Sequence, residues 1–191
     1  GAPWDTLRGF PGFERLVAQN DELIAEAQKT SSMRLEVATP EGYEPGREYP
    51  LFIALHGGGE NLGQFRPRWT SPRLREEYIV AYVQSSQVAG MDGYHWQDAA
   101  VTRRDLGEAY REIVATYSVD AGRVLLGGFS SGGYGTLVTL FEGTLPAIGF
   151  VILCPEVPDE PIQAALADAT RRGIRGTLLT TERDGRLARQ R

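Results

Sequence analysis

The sequence predicts an α/β fold in which a mostly parallel sheet carries helices on both faces. Three observations support this expectation. Short apolar runs of strand length alternate with longer segments whose apolar residues recur at helical spacing. The run from Tyr49 to Leu55 is almost continuously apolar, as in a strand covered on both faces. A further run, Val124 to Leu126, enters Gly128-Phe129-Ser130-Ser131-Gly132 and leaves into a helix-compatible segment from Tyr134 to Phe141, giving strand, tight turn and helix in succession.

Taken in order, Leu16, Val17, Leu23, Ile24 and Ala27 recur between Phe13 and Lys29 with helical periodicity, predicting an amphipathic helix with one stripe packed on the domain. Trp4, Phe10 and Phe13 are expected as packing anchors. Met33, Leu35 and Val37 alternate with Arg34, Glu36 and Ala38 in a half-buried strand, ended by Pro40 and a Gly- and Pro-bearing turn. The strand from Tyr49 to Leu55 runs straight into His56-Gly57-Gly58-Gly59. Ser71 as N-cap and Pro72 in the first turn open a helix, and Tyr78 to Val83 is the next strand. The 13 residues from Gln84 to Trp96 are expected as a loop long enough to form a functional surface. Asp98 to Tyr117 is a helix with Leu106, Ala109, Tyr110, Ile113, Val114 and Tyr117 on one stripe, and with the strand after it makes a right-handed crossover. Gly149 to Leu153 is a strand, Pro161 to Arg171 a helix with Ile162, Ala165, Leu166 and Ala169 inward, and Gly176 to Thr180 the last strand. Residues 1–30 are thus an N-terminal helical segment packed on the core, and 31–191 a single core domain.

With 41% hydrophobic and 24% charged residues, the chain falls among folded globular proteins rather than disordered ones. A net charge of −5 argues against a general nucleic-acid or anionic-membrane surface and suits a neutral or cationic small substrate. The lone Cys154 excludes an intramolecular disulfide, which slightly favours a reducing, cytoplasmic compartment; its place after the apolar run Phe150 to Leu153 makes it a small buried hydrophobe. No stretch has the length of a membrane span and no signal-peptide pattern opens the chain, although Gly1-Ala2 is compatible with a processed terminus. With two histidines and no cysteine cluster, a zinc site is not expected.

The chemistry concentrates in two motifs. Gly128-Phe129-Ser130-Ser131-Gly132 has the G-x-S-x-G pattern in which a strained strand-to-helix turn pushes a serine hydroxyl out of the sheet, making Ser130 the candidate nucleophile. Taken alone, the pattern fits equally well a glycine-rich turn that only joins a strand to a helix. His56-Gly57-Gly58-Gly59, at the carboxyl end of a strand, supplies the partner that acyl transfer needs: backbone donors able to approach a developing oxyanion closely. The N–H groups of Gly58 and Ser131 are the candidate oxyanion hole, and His56 orients the loop.

In that order the two motifs resemble the α/β-hydrolase superfamily of serine esterases. The phrase from Tyr117 to Gly133 is similar to the feruloyl and acetyl esterase and polyhydroxyalkanoate depolymerase branch, and also to the phospholipase/carboxylesterase branch. The resemblance covers the chain from about Met33 onward. It implies hydrolysis of a carboxylic ester, small or polymeric, through an acyl-enzyme without a cofactor. It also implies an orienting acid followed by a histidine. Asp184, after the last strand, is the favoured acid and Glu156 the reserve. No histidine follows Asp184, and only seven residues remain, so the resemblance implies a chain lacking the fold's last strand and C-terminal helix, with its base elsewhere. His95 is the alternative base; otherwise it lines a substrate pocket with Tyr94 and Trp96. A prolyl-oligopeptidase-like peptidase and a catalytically silent ligand-binding protein are the competing functions, and a homodimer is left open.

Overall fold

The computed structural model describes residues 5–156 and 163–181. In chain order the elements are helix α1 (Pro11–Thr30), strands β1 (Arg34–Ala38) and β2 (Tyr49–Leu55), short helices α2 (Leu62–Phe65) and α3 (Pro72–Glu77), and strands β3 (Ile79–Gln84), β4 (Gln87–Gly90) and β5 (Gly93–His95). Helix α4 (Ala99–Thr116), strand β6 (Val119–Phe129), helix α5 (Ser131–Phe141), strand β7 (Ala147–Leu153), helix α6 (Gln163–Arg171) and strand β8 (Arg175–Leu179) follow. The main sheet has the order β1-β3-β2-β6-β7-β8. Only β1 pairs antiparallel; the other pairings are parallel.

Side-chain alternation along β2 explains why helices cover both faces. Leu51, Ile53 and Leu55 join Leu106, Ala109 and Ile113 of α4 and Leu140 of α5 in one core. Phe52 and Ala54 point the other way, into a second core with Leu62 and Phe65 of α2, flanked by Trp69 and Leu74. All seven residues of β2 and all six of β3 are buried, as a near-continuous apolar pattern requires of strands covered on both sides. Capping fixes the helix starts. The Ser71 hydroxyl accepts from the N–H of Leu74 at 3.1 Å, and Asp98 Oδ1 accepts from that of Val101 at 2.9 Å. Among the described residues no helix is long and apolar enough to cross a membrane.

Three expectations change. First, α1 forms, but none of its residues is buried: Leu16 is 61% and Leu23 71% exposed, and Phe10 stands in solvent rather than anchoring the domain. The helix is held at its carboxyl end instead, where Gln28 Nε2 donates to Ser86 O and Gln28 Oε1 accepts from the N–H of Val88, both at 2.9 Å. Second, the segment expected as a loop before α4 is an antiparallel hairpin, β4 with β5, turning at Met91 and Asp92. Its strands are too short to show a period, and the turn relies on Asp92 at φ 55, a conformation aspartate tolerates better than most residues. Third, the helix expected from Tyr134 begins at Ser131, directly after the turn. Trp4, Ile162 and Asp184 lie outside the described residues, as do the side chains of Ala165 and Leu166.

Candidate active site

Strands β2 and β6 run side by side with Leu55 opposite Gly128, so their carboxyl ends deliver His56 and Ser130 to one edge of the sheet. That edge is where open parallel sheets place their ligands. The chain turns from β6 into α5 at Ser130, with φ 52 and ψ −113. A serine avoids this region unless its surroundings hold it there. Here the Ser130 N–H donates to Leu153 O at 2.9 Å, and its carbonyl accepts from the N–H groups of Glu156 and Tyr134 at 3.1 and 3.2 Å. The flanking glycines are sterically required: a Cβ on Gly128 would lie 2.1 Å from Gly132 O, and one on Gly132 would lie 2.4 Å from His56 O. The Ser130 hydroxyl is half-buried and makes no hydrogen bond among the described residues.

The loop after β2 folds against this turn. Gly57 N–H donates to Glu60 Oε2 at 2.9 Å, Gly59 N–H to Tyr94 O at 2.8 Å, and Glu60 N–H to Gly57 O at 3.3 Å. The N–H groups of Gly58 and Ser131 have no acceptor among the described residues, and a Cβ on Gly58 would lie 3.5 Å from Ser131 Cβ. Two donors without an acceptor among the described residues thus belong to Ser131, the residue after Ser130, and to Gly58, which packs against it. One of them opens α5, where the first N–H groups of a helix lack internal partners and favour negative charge.

The hairpin braces the loop from outside. Tyr94 pairs through its backbone with Glu60, Asn61 Nδ2 donates to Asp92 Oδ2 at 2.8 Å, and Gly93 leaves room for Gly59. Trp96 N–H donates to Ser131 Oγ at 2.8 Å, so the Ser131 hydroxyl serves the fold while its N–H stays available. Gln87 ties the hairpin to α4: its Oε1 accepts from the N–H groups of Gln97 and Asp98 at 2.9 and 2.7 Å, and its Nε2 donates to Thr102 Oγ1 at 3.1 Å. Nothing in the sequence signals these roles for Glu60 and Gln87, because each depends on a hairpin that local pattern does not reveal.

His56 is fully buried, with Nδ1–H donating to Gly57 O at 2.7 Å and Nε2 accepting from the N–H of Ser85 at 3.1 Å. Burial lowers its pKa to about 4 against the opposing Gly57 hydrogen bond and Glu60 charge, so it is a neutral structural residue. His95 and Tyr94 are half-buried on β5. Burial lowers the His95 pKa, with Glu156 and the Val88 backbone pulling upward, and among the described residues its buried Nδ1 has no hydrogen-bond partner. Trp96 corrects an expectation. Its indole is buried in the core beside the His56 ring and has no exposed surface with which to line a pocket. Ser130, Ser131 and Gly58 come together, and Glu156 lies against the Ser130 backbone, while Asp184 is outside the described residues. Among the described residues no three His, Cys, Asp or Glu side chains cluster to hold a metal ion.

No protein-family model and no curated protein sequence matches the chain. Solved structures do. An uncharacterized protein from Bacillus cereus superposes with a TM-score of 0.67 at 27% identity, over 98% of this chain and 59% of its own. The chain thus spans about three fifths of that protein's length. A Bacillus cereus carboxylesterase gives a TM-score of 0.61 at 16% identity, over 83% of this chain and 89% of its own. Dipeptidyl peptidase 4 from Porphyromonas gingivalis gives 0.51 at 22% identity, over 78% of this chain and 25% of its own.

Proposed function

From the α/β-hydrolase fold that the chain shares with these neighbours, we propose that it is a serine hydrolase cleaving carboxylic esters through an acyl-enzyme. One observation carries the reading: Ser130, whose hydroxyl makes no hydrogen bond among the described residues, sits on a strained turn that packs against Gly58, and the N–H groups of Gly58 and of the adjacent Ser131 have no acceptor among those residues. Ser130 Oγ adds to the ester carbonyl carbon and gives its proton to a base, and the carbonyl oxygen becomes an anion held by the two N–H groups. Collapse expels the alcohol, which takes that proton, and water repeats the sequence on the acyl-enzyme to release the acid.

No base is hydrogen-bonded to the Ser130 hydroxyl among the described residues. His56 has both ring nitrogens engaged in the fold, and no hydrogen bond joins His95 to Ser130. The chain has no third histidine. In this reading a histidine from beyond these 191 residues serves Ser130, oriented by Asp184 with Glu156 as the reserve acid, and the substrate is a small or polymeric ester. In this reading Tyr94 and His95, on the hairpin, contribute to the substrate pocket.

The reading is tested by intact-mass kinetics with a fluorophosphonate, with and without imidazole in solution as a stand-in base. One adduct forming slowly, faster with imidazole and absent in Ser130→Ala, is expected. No adduct under either condition would leave a silent binding protein as the better account. The peptidase neighbour keeps a second hydrolase reading in play. A p-nitrophenyl ester set against a dipeptidyl p-nitroanilide, each with imidazole, decides between them, and turnover of the ester alone is expected.

A further inference from the structure

We infer that Glu60 is the positioning residue of the proposed oxyanion site, acting on Gly58 through Gly57, with Arg68 as its counter-charge. This rests on the function proposed above. A trans peptide is planar, so the Gly58 N–H points opposite to the Gly57 carbonyl of the same peptide unit. That carbonyl is fixed by two donors, His56 Nδ1–H at 2.7 Å and Glu60 N–H at 3.3 Å. The preceding peptide is fixed by the Glu60 side chain, whose Oε2 accepts from Gly57 N–H at 2.9 Å. Glu60 therefore grips Gly57 from both sides, with its own N–H and with its carboxylate. Gly59 N–H, bound to Tyr94 O, pins the far end. Rotating the Gly57–Gly58 peptide would break both bonds to the Gly57 carbonyl, and the Glu60 carboxylate, through the Gly57 N–H, holds the adjoining peptide against that rotation.

Two further contacts suit this role. The Phe129 ring lies so close to Gly57 that a Cβ there would stand 2.8 Å from its Cδ1, which closes the face of the loop next to Ser130. The other carboxylate oxygen of Glu60 pairs with Arg68. A bare carboxylate near a developing oxyanion would oppose it, and the guanidinium offsets that charge while leaving Oε2 on the amide.

The test compares Glu60→Asp, Glu60→Gln and Glu60→Ala, measuring fluorophosphonate labelling in imidazole together with hydrogen exchange at the Gly57 amide. Glu60→Asp keeps the charge but is one methylene short of the amide. It and Glu60→Ala are expected to slow the phosphonylation step by about tenfold or more, short of the ~10²–10³-fold cost of removing one oxyanion donor outright, without changing the inhibitor's binding constant. Gln retains an acceptor of the right length, so Glu60→Gln is expected to stay within about threefold of wild type. Gly57 exchange should accelerate in the Asp and Ala variants and not in the Gln variant. Equal labelling rates across the series, or equal Gly57 protection in wild type and Glu60→Asp, would overturn the inference. If wild type never labels, the functional reading fails by itself, and Gly57 exchange still decides whether Glu60 positions the loop.

Discussion

A methyl group on Gly128 would have to occupy space 2.1 Å from the carbonyl oxygen of Gly132, which is backbone and cannot swing aside. Gly128→Ala is therefore expected to destabilise the protein by about 3 kcal/mol or more, at or beyond the upper end for overpacked sites, and to lower the midpoint of urea unfolding. An unchanged midpoint would mean that the turn is not as tight as described. The strand, turn and helix around Ser130 were legible in the sequence because their determinants are local: two glycines, a serine and the apolar run before them. The bridge from Glu60 to Tyr94 and the bond from Trp96 to Ser131 were not, since each joins chain more than 30 residues apart. His56 adds a pH prediction. Its folded pKa of about 4 lies below the unfolded 6.5, so between these values the unfolded chain binds a proton that the folded one refuses. This group's contribution is complete above pH 6.5 and is lost as pH falls towards 4, an effect of about 3 kcal/mol at ~1.4 kcal/mol per pH unit. An NMR titration should find the His56 ring neutral down to about pH 4. A midpoint at the ordinary value of 6.5 would contradict its structural role.

At the scale of elements, the hairpin matters more to the site than its length suggests. Gln87 is buried, bonds the N–H groups of Gln97 and Asp98 where α4 begins, and donates to the buried Thr102 hydroxyl. Gln87→Ala is expected to cost about 2 kcal/mol in urea unfolding, since it removes these bonds together and takes the donor from the buried Thr102 hydroxyl. Helix α1 presents the opposite case. Leu23 is exposed, so Leu23→Ala should change stability by less than about 0.5 kcal/mol, whereas a large loss would place the stripe against something in solution. Periodicity located this helix but not its surroundings, because an amphipathic pattern specifies a face without specifying what covers it. The hairpin escaped notice for a related reason: strands of four and three residues carry too little alternation to distinguish from a loop.

For the molecule as a whole, the near-continuous apolar runs of β2 and β3 place a doubly covered parallel sheet at the centre, and the crossovers bring two glycine-bearing turns to one carboxyl edge. Sequence order alone separates His56 from Ser130 by more than seventy residues; the parallel pairing of β2 with β6 brings their turns together. That pairing underlies the proposal that Ser130 is the nucleophile of an acyl-transfer site. The most direct measurement is a peptide map of the protein after fluorophosphonate treatment in imidazole. A single adduct on Ser130, lost in Ser130→Ala, is the predicted result. An adduct elsewhere, on Ser131 or Ser85 for example, or no adduct at all, would contradict it.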